Sequence, residues 1–277
     1  MKANKTFSNL GKSFWGTVKS VSQQIGYSKK GRVFVPNVED LVKAFEDLNL
    51  DVNKIQRGEV NTDLCRNLIS YFQYRAECLN NYVEPRLMNV ERAKEEFNRL
   101  NKNFVGDCPL PMNKQKGDKK AHAYFTGIIN MIISNNLHKM DCDFDPKKLT
   151  TVTKNGVPIR TLSRRVDGAF PSVVNPYAIW EIKEYYYTTT FGSRIADGVY
   201  ETLLDGMELE ELNSSEGIKI QHLFMIDSHT TWWLMGKSYL CRIIDMLHMG
   251  YIDEVLFGYE VVEKLPGILS NWQKDIK

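Results

Sequence analysis

The sequence predicts an α/β protein, with a mixed central β-sheet flanked by helices and a mainly helical region in front of it. Three observations predict this class. Apolar residues recur three and four apart through the first hundred positions, an Asn-Gly pair then separates two β-rich runs, and strand and helix patterns alternate from there to residue 258.

In VEDLVKAFEDLNLDVNKIQ (38–56), Val38, Leu41, Val42, Phe45 and Leu48 stand at helical spacing, and 62–82 and 84–104 keep the same period. CPLPMNKQKGDKK (108–120) breaks it with two prolines, a glycine and four lysines, which places a soft boundary near 110. AHAYFTGIINMIISNNL (121–137) reads as a helix ended by its Asn pair. TTVTK and VPIRTL flank Asn155-Gly156, which supplies the positive φ angles of a type I′ turn, so they form a hairpin. RRVDGAF and AIWEIKEYY flank PSVVNP, whose prolines cannot sit in central strands, so a second hairpin follows. GSRIADGVYETLLDGMELEEL, IKIQHLFMIDS, KSYLCRIIDMLHMGY and DEVLFG then read as helix, strand, helix and strand.

At 277 residues, 43% hydrophobic and 11% aromatic, the chain can bury a core of its own, which excludes a disordered chain. The net charge of +2 does not identify a nucleic-acid partner, but the charges are unevenly spread. Seven bases and no acid lie before Val38, Lys147 to Arg165 is basic, and six carboxylates run from Glu201 to Glu216, so separate basic and acidic faces are expected. No apolar run is long enough for a membrane span, and the Lys-bearing start is broken by polar residues, so no membrane partner and a cytoplasmic location are expected. Five cysteines without a CxxC pair suggest reduced thiols, and the gaps among Cys108, His122, His138 and Cys142 fit no zinc finger. The histidines lack nuclease spacing, and Asp227-Ser228-His229 are too close together to form a triad.

An acid two residues before a lysine occurs four times, and about three matches are expected by chance. Only Glu181-Ile182-Lys183 lies inside an apolar strand. Strand alternation projects Glu181 and Lys183 together, with Trp180 and Ile182 on the opposite face. If PSVVNP closes a hairpin centred near Val174, Asp167 falls opposite Glu181. Two neighbouring carboxylates repel unless a divalent cation lies between them, and Mg²⁺ uses one or two carboxylates while keeping several waters. The main-chain carbonyl of Ile182 could add a ligand, and Lys183 could help to activate a water and neutralise a phosphorane. The bland alternative is an exposed cross-strand charge cluster.

RRVDGAF, a short gap, IWEIKEYY and a helix resemble the PD-(D/E)xK nuclease superfamily, most closely type II restriction endonucleases. The resemblance spans roughly 120–260 and implies a restriction-endonuclease-like core. It implies Mg²⁺ bound by Asp167 and Glu181, with Lys183 positioning or polarising the attacking water. Here Gly168 follows the Asp and no Pro precedes it, and helix 121–137 lacks the acid some members carry there, so Glu184 and Glu201 are the candidates for a further acid. Arg164, Arg165, Arg194 and the lysines at Lys114, Lys116, Lys119 and Lys120 are candidate DNA contacts, and the basic amino terminus is a candidate arm along DNA. Residues 1–110 are then a recognition or dimerisation region and 111–277 the nuclease core. The expected activity is Mg²⁺-dependent, sequence-specific cleavage of double-stranded DNA by a homodimer. A relaxed-specificity defence or repair nuclease and a non-catalytic DNA-binding subunit are the alternatives.

Overall fold

The computed structural model describes residues 1–113, 121–137, 140–187 and 192–276. Helices α1 (Lys12–Ile25), α2 (Val38–Asp47) and α3 (Asp63–Glu77) open the chain. Asn37 and Asp40 close a reciprocal capping box on α2, and Thr62 caps α3, satisfying amide donors that the first turns leave free. Their apolar stripes meet in one core that includes Trp15, Val18, Leu41, Phe45, Leu68 and Tyr71. The basic amino terminus is therefore no arm. Helix α1 buries Phe14, Trp15, Val18 and Val21, and the Met1 amine contacts the fully buried Glu260 at 3.0 Å.

Helices α4 (Val90–Lys102) and α5 (Tyr124–Leu137) follow, then strands β1 (Asp143–Phe144), β2 (Thr151–Lys154), β3 (Val157–Thr161), β4 (Gly168–Phe170) and β5 (Ala178–Lys183). Helix α6 (Ser193–Glu216), β6 (Gln221–Ile226), α7 (Lys237–His248), β7 (Glu254–Phe257) and α8 (Glu260–Asp275) complete the order. The sheet runs β7-β6-β5-β4-β1; β5, β6 and β7 are parallel, and β4 is antiparallel to both neighbours. It is a mixed five-stranded sheet in an α/β fold. The described residues contain no helix long and apolar enough to cross a membrane.

Two expectations about the strands change. The hairpin β2/β3 forms, with Asn155 and Gly156 at φ 53° and 78°, but it is a separate two-stranded sheet. Its place at the main sheet's edge is taken by β1, which two residues of sequence do not announce. Helix α8 also has no counterpart in the sequence reading; its Pro266 sits inside the helix.

The sheet separates two packed layers. Ala178, Trp180, Ile182, Leu223 and Met225 face α4, α5 and α8, while Phe224, Ile226, Val255 and Phe257 face the α7 side. Gly168 pairs with Trp180, Ala169 with Ile179 and Phe170 with Ala178, a register centred on Val174. A Cβ on Gly168 would lie 2.0 Å from Cζ2 and 2.1 Å from Cε2 of the fully buried Trp180, which is why glycine follows Asp167. Gly168→Ala is expected to destabilise the fold by about 3 kcal/mol through this overpacking, and an unchanged urea midpoint would refute that account.

Candidate functional site

Three segments converge at the carboxyl end of β5: the turn before β4, β5 itself and the first half of α6. Alternation along β5 sends Glu181 and Lys183 to the α6 side. Asp167 donates its amide to the Trp180 carbonyl at 3.2 Å, and its Oδ2 accepts the Ile182 amide at 2.7 Å, so its carboxylate is anchored to the backbone of β5. Glu181 is fully buried. Its Oε2 accepts from Lys183 Nζ at 3.1 Å and Arg164 Nη2 at 3.0 Å, and its Oε1 lies 2.9 Å from Arg164 Nη1. Lys183 Nζ also reaches Glu201 Oε2 at 3.1 Å. Arg164 Nη1 donates to Asp205 Oδ2 at 2.5 Å, and Nη2 lies 3.5 Å from Glu201 Oε2. Glu201 and Asp205 are four residues apart, one helical turn, so both face the strand. Across from them Gly198 leaves room for the lysine stem: a Cβ there would sit 3.1 Å from Cδ and Cε of Lys183.

Asp167, Glu181, Glu201 and Asp205 thus face two cations, Arg164 and Lys183, and with every group ionised the cluster carries a charge of −2. The imbalance has a visible effect. Burial, and then the Glu181 charge, push Asp167 up to about 6 and Asp205 up to about 7. Burial opposes the charge on Lys183, but the Glu181 and Asp167 carboxylates outweigh it and hold the ammonium above the ordinary lysine value. The Asp205 Oδ1 is buried with no hydrogen-bond partner.

A cavity of about 510 Å³ opens beside the cluster, with Asp167, Lys183 and Glu201 on its wall together with Asp145 and Asp197. Glu181 is not on that wall; it lies behind Lys183 and Arg164. Among the described residues, no three acidic, Cys or His side chains form a ready metal cage. Asp167, anchored to the backbone of β5, and Glu201 are the carboxylates on the cavity wall that could hold a hard cation such as Mg²⁺, which uses one or two carboxylates and keeps most of its water.

The structure brings Asp167, Glu181, Lys183 and Glu201 together. Arg164, expected as a DNA contact, turns inward, where it is the counter-ion of the fully buried Glu181 and Asp205. Arg165 is exposed. Glu184 projects to the other face of β5, where its Oε2 accepts the Thr126 amide and hydroxyl, each at 2.9 Å, and so binds the first turn of α5. Lys114, Lys116, Lys119 and Lys120 lie outside the described residues, as does the side chain of Arg194.

The separate charged faces are a correction. The basic stretch before β4 and the acidic stretch of α6 meet: Lys154 pairs with Glu216 at 3.0 Å, Arg160 with Glu211, and Arg164 with Asp205, while the Ser163 amide donates to Glu208 at 3.0 Å. Asp205 is the residue the sequence reading misses. Its signal, an acid one turn after Glu201, was hidden within a run that looked merely solvated. The Asp227 carboxylate accepts the Tyr185 amide and, at 2.9 Å, the Trp232 indole N–H, which fixes the chain as it leaves β5. All five cysteines are free.

A family model described as a domain of unknown function, DUF7687, matches residues 88–272, and another of the same description, DUF7690, matches 1–82. No curated protein and no solved structure matches the chain.

Proposed function

We propose that this chain, which belongs to the DUF7687 family, is a Mg²⁺-dependent endonuclease that hydrolyses phosphodiester bonds of duplex DNA, as a site-specific restriction enzyme with a restriction-endonuclease-like core. The observation that carries the reading is one cluster: Asp167 anchored beside Glu181 and Lys183 at a cavity wall, with a charge of −2 left over. A cross-strand charge pair that served stability alone would be exposed and balanced, and this one is neither.

Asp167 and Glu201 would hold the cation from the cavity wall, with Glu181 and the Ile182 carbonyl behind them. The chemistry a bound Mg²⁺ would supply is polarisation of a phosphoryl oxygen and a lowered pKa for a water. Lys183, held cationic, donates hydrogen bonds to charge that develops on the phosphorus oxygens and orients the attacking water; it does not act as a base. The Glu201 carboxylate on its other side fixes the direction of the ammonium. Cutting both strands at a palindrome requires two such sites, hence a homodimer, and restriction places the enzyme in the cytoplasm.

The test is plasmid DNA with Mg²⁺, comparing wild type with Asp167→Ala and Lys183→Ala. Discrete fragments absent from both variants are the expected result. A smear would replace the site-specific reading with a relaxed-specificity defence or repair nuclease. DNA that is bound but stays intact with wild type would sink the catalytic claim and leave a DNA-binding subunit.

A further inference from the structure

The cavity wall and the innermost carboxylate of the cluster do not coincide. Asp167, Lys183 and Glu201 line the cavity, whereas Glu181 is fully buried: its Oε2 accepts from Arg164 Nη2 at 3.0 Å, and its Oε1 lies 2.9 Å from Nη1 as an ion pair without a hydrogen bond. Arg164 comes from the turn before β4 and is itself 22% exposed. It contacts Glu181, Asp205 and Glu201, three of the four carboxylates, and leaves only Asp167 without its contact. A guanidinium set against both oxygens of a buried carboxylate is a strong ion pair even with one hydrogen bond, and it competes with any other cation for the same oxygens.

We infer that Arg164 is a positioning residue that acts as a resident counter-cation, holding Glu181 off the divalent-cation position in the unloaded chain and competing with the incoming ion for it. The inference rests on the nuclease reading for the identity of the ion. Binding of the ion must loosen this ion pair on Glu181, and Asp205, one helical turn beyond Glu201, keeps the guanidinium within the cluster when that happens. The chain therefore trades cation affinity for a cluster that stays folded without the ion. A scaffold role makes the opposite prediction: if Arg164 merely presented Glu181 in its binding orientation, removing it would weaken the site.

The experiment is titration of Mn²⁺, by calorimetry and by electron paramagnetic resonance, into the full chain free of nucleic acid. Wild type is compared with the double variant Arg164→Gln, Asp205→Asn and with Arg164→Lys. At pH 8.5, above the value of about 7 to which Asp205 is pushed, the double variant removes one positive and one negative charge, so the net charge of the cluster is unchanged and a change in affinity reports the release of Glu181. It is expected to bind Mn²⁺ at least about tenfold more tightly, and Arg164→Lys, which keeps the charge but cannot set two nitrogens against the carboxylate, about threefold more tightly. Equal or weaker binding in the folded variants overturns the inference; thermal unfolding shows which are folded, and Arg164→Lys decides alone if the double variant is not. If wild type cleaves DNA while the variants bind no more tightly, only this inference fails. If neither wild type nor variants bind Mn²⁺, the nuclease reading fails with it.

Discussion

Asp167→Asn is expected to abolish plasmid cleavage, by about a thousandfold or more, while making the fold more stable at pH 8. Asp167 titrates near 6 in the fold against an ordinary value of 3.8, because burial and the Glu181 charge disfavour its ionised form. Below 3.8 the carboxyl is protonated in folded and unfolded chains alike. Between 3.8 and about 6 the folded chain keeps a proton that the unfolded chain has released, so stability falls as pH rises through this window. Above it the full cost of the buried charge is present, up to about 3 kcal/mol. Asparagine removes that cost and can still accept the Ile182 amide. Urea unfolding at pH 8 and pH 4 checks the sign: the variant gains at pH 8 and changes little at pH 4. A variant destabilised at pH 8 would show that the carboxylate serves the fold, and would argue against a site that stores unfavourable charge for a cation. The same titration predicts that cation binding and cleavage rise with pH through about 6, as Asp167 gives up its proton.

The second large effect lies away from the site. Helix α3 meets α7 through Arg75, whose Nη1 lies 3.0 Å from both oxygens of Asp245, and Tyr71 donates its hydroxyl to the same carboxylate at 2.6 Å. Arg75 and Asp245 are 1% and 2% exposed, so this pair is out of water and ties the first helices to the sheet-bearing part of the chain. Asp245→Ala strands a buried guanidinium and is expected to cost about 3–5 kcal/mol, lowering the urea midpoint well below that of wild type. Arg75→Met combined with Asp245→Leu removes both charges and should recover most of the loss. Equal destabilisation by the single and double variants would mean that shape at this junction matters more than charge.

How far the sequence determines this protein follows from the range of the forces involved. Helical and strand periods are local properties of the backbone, so VEDLVKAFED, the Asn155-Gly156 turn and the facing of Glu181 with Lys183 can all be read from neighbouring residues. The hairpin centre at Val174 is of the same kind, because two prolines locate the connection and the count then sets the register that puts Asp167 beside β5. Other features depend on which surfaces meet. The Asn-Gly hairpin has the right turn but stays outside the main sheet, bridging only to the 173–175 connection, since the edge of the sheet is filled by Asp143 and Phe144. Arg164 and Asp205 look like members of two solvated charge runs until α6 packs over the turn before β4; then water is excluded, and each requires the other. Local pattern determined the trio Asp167, Glu181 and Lys183. Only the tertiary structure decided what surrounds it, because burial, which sets the strength of every charge in the cluster, is a property of packed surfaces and not of neighbours in the chain.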